Sequence, residues 1–156
     1  MVISYLANGT VSIKTKTETI TLAEKVQIGS HTLPGAGEYD IAAIQCEAHH
    51  LTEATVYFFH SEDLHLSFLD SLSPEVTQMD DASNTNILIV DVRSDQKVDQ
   101  LKSIIKSIEP SYLFLSGAGA TPEFRDALHL PLHDSSSLKI VRSGLPLEGT
   151  FLVVQS

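Results

Sequence analysis

Four groups of residues in this sequence have types and spacings that suit chemistry. His49-His50 would serve a metal ion or a proton transfer, but adjacent residues in an extended chain point apart, so at most one ring faces any given site. Otherwise the pair is part of a polar loop before Leu51. His129 and His133 have the i,i+4 spacing of a helical metal pair, yet Pro131 between them argues against the helix that would align them. Ser116-Gly117-Ala118-Gly119-Ala120-Thr121-Pro122 resembles an anion-binding loop, with Gly117, Gly119 and Thr121 as candidate contacts, because exposed amides at a helix N-terminus attract negative charge. It lacks the Lys of a phosphate-binding loop and the full dinucleotide fingerprint, so a plain strand-to-helix turn is the simpler account. Asp80-Asp81, with Asp91 and Asp95 further on, lacks the alternating-acid spacing of a calcium loop and reads as a solvated acidic face. No Gly-x-Ser-x-Gly or ordered Ser-His-Asp set supports a serine hydrolase. Cys46 to Phe59 reads as buried strand rather than an electropositive site that would lower a thiol pKa, so the Cys46 thiol is expected to be inert.

The elements that must position these residues change rhythm halfway along. Val11 to Thr15 and Thr17 to Leu22 alternate β-branched and polar residues, and Asn8-Gly9 is a hairpin signal between Tyr5 and Val11. Leu33-Pro34-Gly35-Ala36-Gly37-Glu38-Tyr39 reads as a turn feeding a strand at Ile41 to Ile44. Thr55 to Phe59 and Leu64 to Leu69 read as a hairpin around His60-Ser61-Glu62-Asp63. Ile87 to Val92 then reads as a strand buried on both faces. Val98, Leu101, Ile104, Ile105 and Ile108 form one apolar face of a helix over Asp95 to Ile108, stopped by Pro110. Tyr112 to Leu115 is a second buried strand, which implies a right-handed β-helix-β crossover. A short helix over Thr121 to Leu128 follows, with Thr121 as N-cap and Pro122 at its first position. Leu138 to Arg142 and Phe151 to Val154 close the chain as strands.

Leu33 to Ile41 is similar to the Gly-Pro-Gly-Glu-Tyr-(Glu/Asp)-Ile segment of small bacterial and archaeal Zn-dependent hydrolases of the metallo-β-lactamase fold, with Ala36 inserted. Leu64 to Leu72, Ile108-Glu109-Pro110 and Leu138 to Val154 resemble further stretches of those proteins in the same order. The resemblance implies an α/β chain, layered α+β, over a single domain 1–156: a truncated metallo-β-lactamase-like β-sandwich with an antiparallel N-terminal meander, a β-α-β unit and two C-terminal strands.

The resemblance also implies vacancies. Such hydrolases hold two zinc ions about 3.5–4 Å apart and acidify a bound water. Their His-x-His-x-Asp-His motif precedes the Gly-Glu-Tyr turn, where this chain offers only Ala23 to Thr32. Their His-Leu-Gly-Asp aligns with Phe68-Leu69-Asp70-Ser71, which puts Ser71 at the bridging Asp and points Asp70 to the opposite face. Their last ligand histidine aligns near Gly117, and His49-His50 lies where they have a His-Asp pair.

Ten Lys and Arg against twenty Asp and Glu give a formal charge of -10, which argues against nucleic acid and anionic membranes as partners. No apolar run approaches the ~18–20 residues of a membrane span, no signal segment is visible, and one cysteine fits a reducing compartment, so a cytoplasmic location is expected. The expected function is a non-catalytic, metal-free binding or self-assembly module. A hydrolase with a remodelled site is the alternative, with zinc as its cofactor and His49, His50 and Asp70 as candidate ligands; a small anionic-ligand sensor is a second. Loss of the covering loop and helix would leave Val56, Phe58 and Leu66, or their opposite-face neighbours, uncovered, and from this a homo-oligomer is expected.

Overall fold

The computed structural model describes residues 1–155. Strands β1 (Val2–Tyr5), β2 (Val11–Lys14), β3 (Thr19–Leu22), β4 (Val26–Ile28) and β5 (His31–Thr32) form an antiparallel meander. Period-2 alternation turns Ile3, Tyr5, Val11, Ile13, Ile20, Leu22, Val26 and Ile28 to one buried face. The first turn follows from Asn8-Gly9: Gly9 takes φ +83°, and the Asn8 carboxamide oxygen accepts from the Thr10 amide at 3.1 Å.

Strands β6 (Gly37–Ile41), β7 (Ile44–His50), β8 (Thr55–Ser61) and β9 (Leu64–Leu69) form a second antiparallel meander. The sheet continues through β10 (Ile87–Asp91) and β11 (Tyr112–Ser116), both parallel to β9, with helix α1 (Val98–Ile108) as the crossover between them. Helix α2 (Pro122–Ala127) is capped as its sequence predicts, Thr121 Oγ1 accepting from the Phe124 amide at 3.2 Å. Strand β12 (Leu132–Asp134) and β14 (Phe151–Val154) extend the second sheet, while β13 (Ser137–Lys139) returns to pair with β1 of the first. Mixed sheets with helices on the outer face make this the layered α+β sandwich that the resemblance implies.

Several boundaries differ from expectation. Ile41 to Ile44 is not a strand but a hairpin turn, in which Ala42 and Ala43 take φ +52° and +63°. Neither residue advertises that left-handed backbone, which Gly or Asn usually supplies. Cys46 to Phe59 is correspondingly two strands, and His60-Ser61 belongs to β8, the turn falling on Glu62-Asp63 at φ +53° and +61°. The strand read over Leu138 to Arg142 is the shorter Ser137–Lys139.

The two sheets share an apolar layer in which Ile3, Ile13, Ile20, Phe59, Phe68 and Phe114 pack together. Tyr5 crosses it: its hydroxyl donates to the Val153 carbonyl at 2.8 Å and accepts from the Leu115 amide at 3.0 Å, and burial pushes its pKa up to about 12. A second layer lies outside, where Leu101, Ile104 and Ile108 of α1 and Val76 and Ala82 of two 3-10 helices, Pro74–Gln78 and Asp80–Asn84, cover Phe58, Leu88, Val90 and Leu113. Val56 and Phe58 are therefore 0% and 9% exposed, and Leu66, in the layer between the sheets, is 1% exposed, so none is uncovered. The sequence offers no apolar periodicity over Pro74 to Asn84, yet that segment supplies the cover. Large apolar side chains left in water among the described residues are Leu6, Leu132, Val141 and Leu147. Removing a ring from the shared layer, as in Phe114→Ala, is expected to cost about 3–5 kcal/mol of stability in urea unfolding.

Candidate functional site

Because β9, β10 and β11 run parallel, their C-terminal ends meet at one edge of the sheet, where ligands usually converge in α/β folds. Asp70-Ser71, Asp91-Val92 and Ser116-Gly117 stand there. The resemblance places metal ligands among these residues, and the structure fills their places otherwise. Phe68 is buried in the layer between the sheets, stacked on Tyr57 with ring centroids 5.9 Å apart.

Ser71 is buried, and its hydroxyl accepts from Gln96 Nε2 at 2.7 Å. The same Gln96 nitrogen donates to the Leu72 carbonyl at 3.2 Å, and its Oε1 accepts from the Leu72 and Arg93 amides at 3.1 and 3.0 Å. One carboxamide thus uses its full capacity of two donors and two acceptors to stitch the end of β9 to the end of β10. Nothing in the sequence singles out Gln96.

Gly117 has φ +90°, and a Cβ there would fall inside the Asp91 carboxylate and the Val92 carbonyl. A Cβ on Gly119 would likewise overlap the Arg93 carbonyl, toward which the chain is drawn by the Gly119 amide donating to the Val92 carbonyl at 2.8 Å. The two glycines therefore serve close backbone packing, the Thr121 hydroxyl serves its cap, and the Ala120 amide donates to the Gly117 carbonyl at 3.2 Å. The segment is built as a strand-to-helix turn.

His50 and Asp70 both reach Thr55: His50 Nδ1 lies 3.1 Å from its hydroxyl, and Asp70 Oδ1 accepts from its amide at 2.8 Å. His49 points to the outer face beside Glu47, away from His50 and Asp70, as alternation along β7 requires. The candidate set His49, His50 and Asp70 is therefore divided between two places. His129 follows α2 at φ +53° and His133 lies in β12, so no helix aligns them. The His-x-His-x-Asp-His interval is occupied by β4 and β5. Tyr39 donates its hydroxyl to the Gly35 carbonyl at 2.6 Å, tying down the Pro-Gly-x-Gly turn. Cys46 is buried, and burial, reinforced by the nearby Glu47 charge, pushes its thiol up to about 12, which leaves no reactive thiolate.

Zinc in the manner the resemblance implies does not fit this edge: the position it gives to the last ligand histidine is Gly117, where a Cβ would overlap Asp91 and Val92, and the position it gives to the bridging Asp is Ser71, bound to a structural carboxamide. A carboxylate does remain there. Burial raises the Asp91 pKa, the Arg93 charge lowers it and the Asp70 charge raises it. A raised folded-state pKa means the folded chain binds more protons than the unfolded one between the two values, so this group destabilises the fold as pH rises through that range. Asp91→Asn is expected to raise the melting temperature at pH 7 and to lose that advantage below about pH 4, where the unfolded carboxyl is itself protonated.

No family model and no curated protein matches the sequence. Among solved structures, a protein of Thermotoga maritima assigned to the Zn-dependent hydrolases of the metallo-β-lactamase superfamily superposes with a TM-score of 0.69 at 12% identity, covering 100% of both chains. At that identity the likeness speaks to architecture alone: the chain has a metallo-β-lactamase fold.

Proposed function

We propose that this chain is a non-catalytic binding module of the metallo-β-lactamase fold, without the dinuclear metal centre of the hydrolases. The observation that carries the reading is Gly117, whose Cα is packed so tightly against Asp91 and Val92 that no ligating side chain fits. The Gln96 carboxamide supports it, because its four hydrogen bonds occupy the polar atoms around Ser71. A remodelled hydrolase site would have to use His50 and Asp70, which are already engaged by Thr55. With the outer face of the second sheet covered, a homo-oligomer would need a different surface, and a light-scattering mass of one 17.0 kDa chain would exclude it. The single buried thiol suits a reducing, cytoplasmic setting.

Tag-free protein supplied with zinc is expected to hydrolyse phosphodiester, thioester and β-lactam probes no faster than zinc in buffer. Turnover that disappears in the His50→Gln, Asp70→Asn double variant would establish the hydrolase instead. Gly117→His, which restores the implied ligand residue, is expected to destabilise the fold by at least about 1–3 kcal/mol from its left-handed backbone alone, as read by urea unfolding.

A further inference from the structure

Glu47 and His49 stand two residues apart on β7, on the outer face of the second sheet, and the 3-10 helix Asp80–Asn84 carries Asp81 over them. One ligand-type atom from each of Glu47, His49 and Asp81 lies within 4.8 Å of the other two. His49 Nε2 is shut off from water although the ring is partly exposed, and it has no hydrogen-bond partner; the nearest carboxylate oxygen, Glu47 Oε2, is 3.5 Å away. Buried polar atoms in folded proteins are nearly always satisfied, so this nitrogen lacks a partner that the site is shaped to receive. The Phe58 ring braces the imidazole edge-on, with centroids 6.0 Å apart. Asp81 itself is exposed, on a turn anchored by the buried Ala82 and by a 2.5 Å hydrogen bond between the Thr85 and Ser67 hydroxyls.

We infer that Glu47, His49 and Asp81 bind a divalent transition-metal ion on the outer face of the second sheet, with its open coordination positions facing the adjoining cavity. This reading goes beyond the proposed function by naming a ligand for the binding module, and it uses none of the strand-end residues. An imidazole nitrogen with two carboxylate oxygens suits zinc, manganese or iron; calcium and magnesium favour all-oxygen shells. Glu47 and Asp81 also line a cavity of about 180 Å³ with Gln45, His60, His65 and Asn84. There the His60 and His65 rings stack at 4.2 Å. Three protein ligands leave exchangeable positions, so water or a small ligand in the cavity completes the shell.

The test uses tag-free full-length protein stripped with chelator and titrated with Zn2+ by calorimetry, with Co2+ as a spectroscopic reporter. The expected result is one equivalent of Zn2+, bound about tenfold or more weakly by His49→Gln and by Asp81→Asn, with circular dichroism unchanged. The His60→Gln, His65→Gln double variant should retain the site. Equal affinity in wild type, H49Q and D81N, or no binding at all, overturns the inference. Zn2+ lost in the His50→Gln, Asp70→Asn variant but kept in H49Q overturns it too, and in addition overturns the reading of a closed strand-end site.

Discussion

The eight-stranded sheet is apolar on both of its faces, and that single property dictates what surrounds it. Phe59, Phe68 and Phe114 look one way and Phe58, Leu88 and Leu113 the other, so neither face can stay in water. The N-terminal meander closes the first side, and Tyr5 pins the two sheets together by bonding backbone atoms of β11 and β14. Helix α1 and the two 3-10 turns close the second.

At the strand ends the polar atoms serve a structural purpose. Buried polar groups cost free energy unless they are paired. Gln96 resolves this with one side chain that satisfies Ser71, Leu72 and Arg93 together. The glycine turn resolves it differently, by bringing the backbone of β11's end directly onto that of β10's end. Both devices bind β10 to its neighbours.

Much of the architecture was legible because it follows from local rules. Period-2 alternation in Val11 to Lys14, the apolar face of Val98 to Ile108 and the Thr121-Pro122 helix start all depend on neighbours in sequence. The Ala42-Ala43 turn was not legible, since alanine enters left-handed backbone only when the strands on either side impose it. Pro74 to Asn84 escaped for a related reason: Val76 and Ala82 are too sparse to show a period, and what orders them is the face beneath. At the candidate sites, the residue types at Phe68, Ser71 and Gly117 were legible, but their buried packing and the Gln96 bonds around Ser71 were not. The meeting of Asp81 with Glu47 and His49 was not legible either, because it depends on where a 3-10 turn comes to rest. The covered state of Val56 and Phe58, against the expectation of an open face, has the same origin.

The contact between Gly117 and the Asp91-Val92 backbone also sets the order in which the chain could change. Any side chain at 117 meets an occupied space, so a histidine could arrive only after the ends of β10 and β11 had moved apart. That separation would first have to undo the bonds from the Val92 amide to Ser116 and from Gly119 to the Val92 carbonyl. No single substitution at 117 therefore brings a ligating side chain to this edge, a barrier built from two glycines. The outer face has no such barrier, and its surface side chains are free to be tuned one at a time.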